Sequence, residues 1–253
     1  MLGGVPMYKM VVSNFSEALI NQEEAISFST MLEIERIRNQ KVKFVVSTGN
    51  SLRDVLDYNK DFNFVDYVIY FYGACIYDVK KEKIISKKNI GVNGVKKIYK
   101  LFKEFDILFY IGDVSYHVDD KYEEFFSKYK SSIYKAKVYN IPKEEYICLE
   151  KVLESWKKNF SIYTSCQNDF YTLEIVSSQV SPYISLEKII KQEGILLEEV
   201  IAVGASISDV EVVEKCGLGV CVQNGCEEVK VVADEIADSN DKKGVEKIIR
   251  KYC

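Results

Sequence analysis

The residues of this chain that could take part in chemistry are found mainly in short loops that follow strand-like apolar runs. These loops carry hydroxyls, amides and one carboxylate, at Asn14, Ser16, Thr48, Asn50 and Asp209. Such side chains can bind an anion or contribute to a cation site, but they form neither a nucleophilic triad nor an obvious metal cluster. The one histidine, His117, lies between the two groups of loops along the chain. We therefore expect neither a histidine-based triad nor a zinc site.

Strand and helix patterns alternate around these loops. Apolar or β-branched runs typical of strands, and helical runs between them, occur in order at residues 10–12, 23–39, 42–47, 51–58 and 67–71. The same alternation returns over residues 185–251. This order favours right-handed crossovers and a parallel sheet with helices on its faces. Ligands of such sheets bind beyond the carboxyl ends of the strands, where the polar loops lie.

A segment of different texture interrupts the pattern. Residues 80–170 alternate lysine-rich helical stretches with strand-like runs, and they contain many of the tyrosines and the only tryptophan, Trp156. We predict an α/β core formed by residues 1–79 and 171–253, with residues 80–170 as an inserted α+β domain. Tyrosines in such an insert are more typical of packing than of a ligand site.

Composition and charge restrict the classes of function. The 253 residues are 47% hydrophobic and 28% charged, as in ordinary globular proteins. The net charge of −4 argues against nucleic acid or an anionic membrane as the main partner. No apolar run approaches the ~20 residues of a membrane span, and the first ten residues lack the features of a signal peptide. We expect a cytoplasmic protein whose seven cysteines are reduced thiols.

Read in order, the loops resemble those of the haloacid dehalogenase (HAD) superfamily, specifically the Cof-like phosphatases with a large inserted cap. Family members begin with a strand and Asp-x-Asp-Gly-Thr-Leu, and residues 9–21 (KMVVSNFSEALIN) occupy that position. Their Thr-Gly-Arg corresponds to residues 48–50 (TGN), and their Asn-Gly-Ala to residues 72–74 (YGA). Their Gly-Asp-Gly-x-Asn-Asp loop corresponds to residues 204–209 (GASISD). The resemblance implies a Rossmann-like core with a parallel sheet, interrupted by an α+β cap.

The resemblance also implies catalytic roles that the residues present do not fill. In the family, the first aspartate attacks phosphorus and the second is the acid/base, but these positions hold Asn14 and Ser16. The position of the phosphate-binding lysine holds Pro182, and Ala205 replaces an acidic metal ligand, which leaves Asp209 as the metal candidate. A neutral amide is a poor nucleophile, and a serine without a nearby base does not transfer protons near pH 7. We therefore predict that no catalytic residue is intact.

Other loop residues are candidates for binding a phosphate or another ligand. They are Thr48, Gly49, Asn50, Gly73, Ser208 and Asn224. Several have a structural alternative. Thr48 can cap the helix that begins near Ser51, Asp209 can be a carboxylate in the first turn of a helix, and Ser208 can be an N-cap.

Three hypotheses of function follow. The first is a HAD-like protein that has lost phosphatase chemistry, needs no cofactor, and binds a small molecule or a protein partner. The second is an active Mg²⁺-dependent phosphatase of a sugar phosphate or similar metabolite, in which the lost residues are compensated. The third is a structural subunit that pairs with an active relative. The absence of carboxylates at Asn14, Ser16 and Ala205 favours the first and third hypotheses.

Overall fold

The computed structural model describes residues 8–59, 63–118, 122–129 and 131–253. These residues form two compact units. The core unit comprises the described residues up to Ile85 together with Pro182–Cys253, and the cap unit comprises those within Ser86–Ser181. No helix among the described residues is both long enough and apolar enough to span a bilayer.

The core unit is built on an eight-stranded sheet. Its strands are β1 (Met10–Asn14), β2 (Lys43–Ser47), β3 (Tyr67–Tyr70), β4 (Cys75–Asp78) and β5 (Lys83–Lys87), and, after the cap, β11 (Val200–Gly204), β12 (Leu218–Val222) and β13 (Glu235–Ala237). The order across the sheet is β13-β12-β11-β1-β2-β3-β4-β5. The six strands from β13 to β3 are parallel, whereas β4 is antiparallel to β3. The predicted α/β fold with a parallel sheet is confirmed.

Helices cover this sheet. They are α1 (Phe28–Asn39), α2 (Leu52–Asn59), α6 (Pro182–Glu193), α7 (Val210–Lys215), α8 (Glu227–Val232) and α9 (Gly244–Tyr252). On one face, Leu186 and Ile189 of α6 are fully buried in a cluster with strand residues such as Val45, and this apolar burial is what stabilises the layers. Helix α1 begins later than predicted because the hydroxyl of Ser27 accepts the N–H of Thr30 at 3.2 Å and caps the helix there.

The cap unit is a five-stranded antiparallel sheet with helices packed on one face. Its strands are β6 (Asp106–Ile111), β7 (Val114–His117), β8 (Ile133–Pro142), β9 (Phe160–Gln167) and β10 (Phe170–Ser177), and its helices are α3 (Val92–Phe102), α4 (Tyr122–Tyr129) and α5 (Lys143–Trp156). The order of the strands is β7-β6-β8-β10-β9. Tyr99 stacks on Tyr122, with ring centroids 4.8 Å apart, so these two tyrosines are packing residues.

Both predicted domain boundaries differ from those of the structure. The sequence placed the first boundary at residues 79/80, but β5 pairs with the core sheet and the cap unit begins at Ser86. The second was placed at 170/171, but β10 pairs with β8 and β9 and therefore belongs to the cap unit. An apolar strand pattern indicates a strand without indicating which sheet it joins, and this is why both boundaries were wrong.

Candidate functional site

The site is built around Asn14, the last residue of the central strand β1. Its Nδ2 donates to Oδ2 of Asp209 at 2.8 Å and to the hydroxyl of Ser206 at 3.2 Å. Its Oδ1 accepts the backbone N–H of Glu17 at 2.9 Å. Exchanging the amide atoms would set two oxygens against each other, so this network fixes the orientation of the amide. Both ends of the Asn14 side chain are therefore used by the protein itself.

Asp209, the predicted metal candidate, lies after the adjacent strand β11 and is 5% exposed. Its Oδ2 also accepts the backbone N–H groups of Ala205 and Ser206, at 3.0 and 2.9 Å, and the hydroxyl of Ser206 at 3.0 Å. Burial raises the pKa of this carboxyl, and the hydrogen bonds from Ala205, Ser206 and Asn14 offset part of the rise. Asp209 therefore holds its own loop together by accepting hydrogen bonds from it. This role resembles the structural alternative, in which Asp209 is a carboxylate in the first turn of a helix.

A second carboxylate comes near this cluster from the turn that follows β1. Residues Phe15–Leu19 form one π-helical turn, which the sequence pattern did not predict, and it carries Glu17. The Glu17 residue is exposed, but desolvation of its carboxyl by the surrounding protein and the charge of Asp209 raise the pKa of that carboxyl, and a hydrogen bond with Ser206 lowers it in part. Two neighbouring carboxylates make this end of the sheet less favourable for a phosphate group.

Ser16, at the predicted acid/base position, is exposed and belongs to a second group of polar contacts. Its hydroxyl accepts Nδ2 of Asn50 at 3.2 Å, and the hydroxyl of Thr48 accepts the backbone N–H of Asn50 at 3.0 Å. Thr48 therefore closes its own turn. The cap of α2 is Ser51, whose hydroxyl accepts the N–H of Asp54 at 3.4 Å. The sequence suggested Thr48 as the cap of this helix, but the residue that caps it is Ser51.

The loop after β3 has an unusual backbone. Phe71, Tyr72 and Gly73 have successive positive φ angles of 51°, 54° and 90°, a conformation that costs energy for the two aromatic residues. The loop is held because the N–H groups of Phe71 and Tyr72 donate to the carbonyls of Asn50 and Thr48, at 3.2 and 3.0 Å. The ring of Tyr72 lies directly against Gly49, where an added Cβ would come within 2.2 Å of the ring.

The remaining predicted residues have structural partners of their own. Pro182 begins α6, a position where proline is favoured, and three residues later the hydroxyl of Ser185 donates to the carbonyl of Gly73 at 2.9 Å. Ser208 lies 3.0 Å from the hydroxyl of Ser206. Asn224 donates to the carbonyl of Glu17 at 2.8 Å and accepts the N–H of Asn240, so it joins neighbouring loops.

Sequence reasoning gave too little weight to Tyr72 and Ser206. Tyr72 occupies the position of the asparagine in the family's Asn-Gly-Ala motif. This departure from the motif can be seen in the sequence and marks the residue as unusual. Ser206 lies in the loop of residues 204–209 and was not among the candidate residues, yet it contacts Asn14, Asp209 and Ser208. The contacts with Ser208 and Asp209 lie within one turn, and Ser206 and Asp209 form a capping box that the spacing S-x-x-D indicates. Only the contact with Asn14 has no local signal, because it depends on two strands that are adjacent only in the folded chain.

The donor set does not fit the Mg²⁺ ion that the resemblance implies. Mg²⁺ requires oxygen ligands in near-octahedral geometry, with one or two carboxylates from the protein. Here Ala205 has no ligand atom, and Asn14 directs one N–H to the Asp209 carboxylate. Oδ2 of Asp209 already accepts four hydrogen bonds, and Oδ1 accepts one from the hydroxyl of Ser208 at 3.4 Å. Among the described residues, no three His, Cys, Asp or Glu side chains form a group that could hold a metal.

The chain is similar to known proteins over nearly its whole length. It is 22% identical over 244 residues to the 5-amino-6-(5-phospho-D-ribitylamino)uracil phosphatase YcsE of Bacillus subtilis, which covers 96% of this chain and 95% of that protein. A solved haloacid dehalogenase-like hydrolase from B. subtilis superposes with a TM-score of 0.82 at 20% identity, covering 97% of this chain and 100% of that chain.

Another solved structure, of a HAD subclass IIB sugar phosphatase, superposes with a TM-score of 0.77 at 19% identity, over 96% of this chain and 98% of that chain. At these identities the structures show the shared fold. The sequence profile of the haloacid dehalogenase-like hydrolases matches residues 11–249. This chain therefore belongs to the haloacid dehalogenase-like hydrolase family, as its loops and its capped α/β fold indicate.

Proposed function

We propose that this member of the family does not hydrolyse phosphate esters and acts instead by binding a small molecule or a protein partner. The observation that carries the proposal is the 2.8 Å hydrogen bond from Nδ2 of Asn14 to Oδ2 of Asp209. This bond joins the position of the family's nucleophile to its metal loop through a neutral donor. A site that held Mg²⁺ would instead present oxygen atoms from both sides to the ion.

The chemistry of the neighbouring side chains supports the same proposal. Attack on phosphorus requires a nucleophilic oxygen, and the only side-chain oxygen of Asn14 is an amide carbonyl that accepts the N–H of Glu17. Proton transfer at the position of Ser16 requires a base, but its hydroxyl accepts a hydrogen bond from the amide of Asn50. Pro182 adds neither charge nor a donor for a phosphate. With Ala205 in place of an acidic metal ligand, we infer that all four positions have lost their catalytic roles.

The second candidate function is an active phosphatase of a small phosphorylated metabolite. It is favoured by the relatives, since one is a phosphatase of a ribitylaminouracil phosphate and another structure is of a sugar phosphatase. If it is correct, hydroxyl groups such as Ser16 and Ser206 would have to replace the missing carboxylates. The same assay distinguishes the two functions.

The decisive experiment is a hydrolysis assay with p-nitrophenyl phosphate and a panel of sugar phosphates in the presence of Mg²⁺. An active capped phosphatase of the family serves as the positive control. We expect the wild-type protein and the Asn14→Ala variant to give the same rate as buffer alone. Turnover that is proportional to protein and is abolished by Ser16→Ala or Asp209→Ala would establish the second function and refute the proposal.

A repair experiment tests whether the missing groups account for the lost activity. The variant that combines Asn14→Asp, Ser16→Asp, Ala205→Asp and Pro182→Lys should gain Mg²⁺-dependent hydrolysis. Its matched control carries the last three substitutions with Asn14 retained, and it should stay inactive, as should Asn14→Asp alone. Catalytic groups that act as a unit contribute little singly, so activity in either control would contradict this reasoning.

A further inference from the structure

In the part of the chain that the structure describes, the two sheets have four edge strands, and three of them carry features that block pairing with another chain. Strand β13 has only three residues, and its Glu235 accepts two hydrogen bonds from Lys251 at 2.9 Å. Strand β5 has a lysine at each end, and β7 has four residues. Short strands and charged edges are the usual means by which proteins avoid edge-to-edge association.

Strand β9 lacks these features. It has eight residues, Phe160–Gln167 (FSIYTSCQ), with no charged residue, proline or glycine. In the described sheet it pairs with β10 along its full length and is an outer strand. Residues 164–167 are exposed. In an antiparallel edge strand, about half of the backbone N–H and C=O groups point away from the partner strand. The exposed half of β9 is therefore an open template for another strand.

The charges at the two ends of β9 indicate which strand it would accept. Lys157 and Lys158 precede the strand, and Asp169 follows it with a side chain that is 77% exposed. Among the described residues, the side chain of Asp169 has one ion pair, of 3.3 Å to the half-exposed Lys143, and Lys157 has one of 2.5 Å to Glu154. Antiparallel pairing of β9 with a second β9 brings the basic end of each strand to the acidic end of the other. Parallel pairing would place lysines beside lysines.

We propose that β9 is a self-association surface, through which two copies of this chain pair their β9 strands antiparallel about a two-fold axis. The two cap sheets then form one continuous sheet, with the uncharged stretch at its centre. Such an isologous contact is closed and yields a dimer. The contact is small, so we expect a dissociation constant on the order of 0.1 mM. This inference is independent of whether the chain hydrolyses phosphate esters.

Analytical ultracentrifugation over a range of protein concentrations tests the proposal, with a reductant present so that disulfides do not contribute. The wild-type mass should rise with concentration from 29.1 kDa towards twice that value. The variant Thr164→Lys brings two lysines together at the centre of the paired strands, next to the two-fold axis, and should stay monomeric. A control of equal charge change, Ile147→Lys on the exposed side of α5, should dimerise like the wild type.

A charge-complement experiment shows whether β9 meets β9. The variant Thr164→Glu should also be monomeric alone, because two glutamates then meet at the two-fold axis, and mixing it with the lysine variant should restore association. A wild-type protein that stays at 29.1 kDa at every concentration would refute the proposal. A dimer that persists in the lysine variant would refute it as well.

Hydrogen exchange on the wild-type protein tests the proposal without any variant, so the result does not depend on whether a variant folds. Amide protection within residues 160–167 should increase with protein concentration, whereas protection of the three residues of β13 should not change. Protection of β9 that is independent of concentration, in a protein whose mass does rise, would assign the dimer to another surface and overturn the proposal.

Discussion

Replacing Asn14 with aspartate tests the central contact of the site most directly. The substitution preserves the shape of the side chain and exchanges one N–H donor for an oxygen. That oxygen faces Oδ2 of Asp209 across a contact of 2.8 Å, in a place where Asp209 is 5% exposed. Two carboxylates that meet there cannot both ionise without a large cost, so they should share one proton.

The size of the effect follows from what is lost and what is added. A hydrogen bond to a charged group contributes about 1.5–3 kcal/mol. Holding a proton on the carboxylate pair above its ordinary pKa costs about 1.4 kcal/mol for each pH unit. Between an ordinary aspartate pKa of about 4 and pH 8 this cost is about 5–6 kcal/mol, and relaxation of the pair offsets part of it, so we expect Asn14→Asp to lower the free energy of unfolding by about 4–6 kcal/mol near pH 8.

The sign of the pH dependence is fixed by the direction of the pKa shift. Burial already raises the pKa of Asp209, and a second carboxyl raises the pKa of the pair further. A carboxyl whose pKa is higher in the folded state contributes stability that is present at low pH and is lost as the pH rises through that value. In the protonated pair, the O–H of one carboxyl donates to the other and replaces the lost amide. The destabilisation should therefore be smaller near pH 5 than near pH 8.

Urea denaturation of the wild type, Asn14→Asp and Asn14→Ala at about pH 5 and about pH 8 measures this difference. The alanine variant removes the donor without adding a charge, so its loss of stability should change less with pH. An Asn14→Asp variant as stable as the wild type near pH 8, or one whose loss is equal at both pH values, would show that the contact does not form as described.

The other predictions concern metal, anion and packing. Millimolar Mg²⁺ should not raise the melting temperature of the wild type beyond the effect of a sodium salt of equal ionic strength, because only a ligand of the native state adds stability. A Mg²⁺-specific rise in a thermal scan would contradict the conclusion that these residues do not fit Mg²⁺. Calorimetry should give a phosphate affinity no better than about millimolar, near −4 kcal/mol, since Glu17 and Asp209 oppose an anion; micromolar binding would be inconsistent with that charge. Gly49→Ala should cost about 1–3 kcal/mol, because the new Cβ would lie 2.2 Å from the ring of Tyr72. In a double-mutant cycle that cost should disappear in a Tyr72→Ala background, and additive losses would argue against the contact.

Most of the core fold could be predicted from the sequence because its buried strands are continuous apolar runs. Strands β1, β11 and β12 are buried along their whole lengths, and each was indicated by such a run. The π-helical turn after β1 was not predicted, because no period in residues 15–19 distinguishes it from a loop. The boundary at β10 was misplaced because strand pairing between distant segments decides which sheet a strand joins.

The candidate site divides in the same way. Residue identity alone established that Asn14, Ser16, Ala205 and Pro182 lack a nucleophilic carboxylate, an acid/base, a metal ligand and a phosphate-binding ammonium. These are properties of single side chains, which no fold can change. By contrast, the hydrogen bond that joins Asn14 to Asp209 spans 195 positions of the chain. It exists because β1 and β11 are neighbours in the sheet, and only the packing of the strands decides that.

The same distinction holds away from the site. The sequence determined that residues 160–167 are uncharged and suited to a strand, but their place at the edge of the cap sheet depends on the order in which five strands pair. It also determined the glycine at position 49 and the tyrosine at position 72, whereas the contact between them arises from the loop that follows β3. The identity of each side chain determines its own chemistry. Which side chains come into contact depends on pairing between segments that are far apart in the sequence, and that pairing exists only in the folded chain.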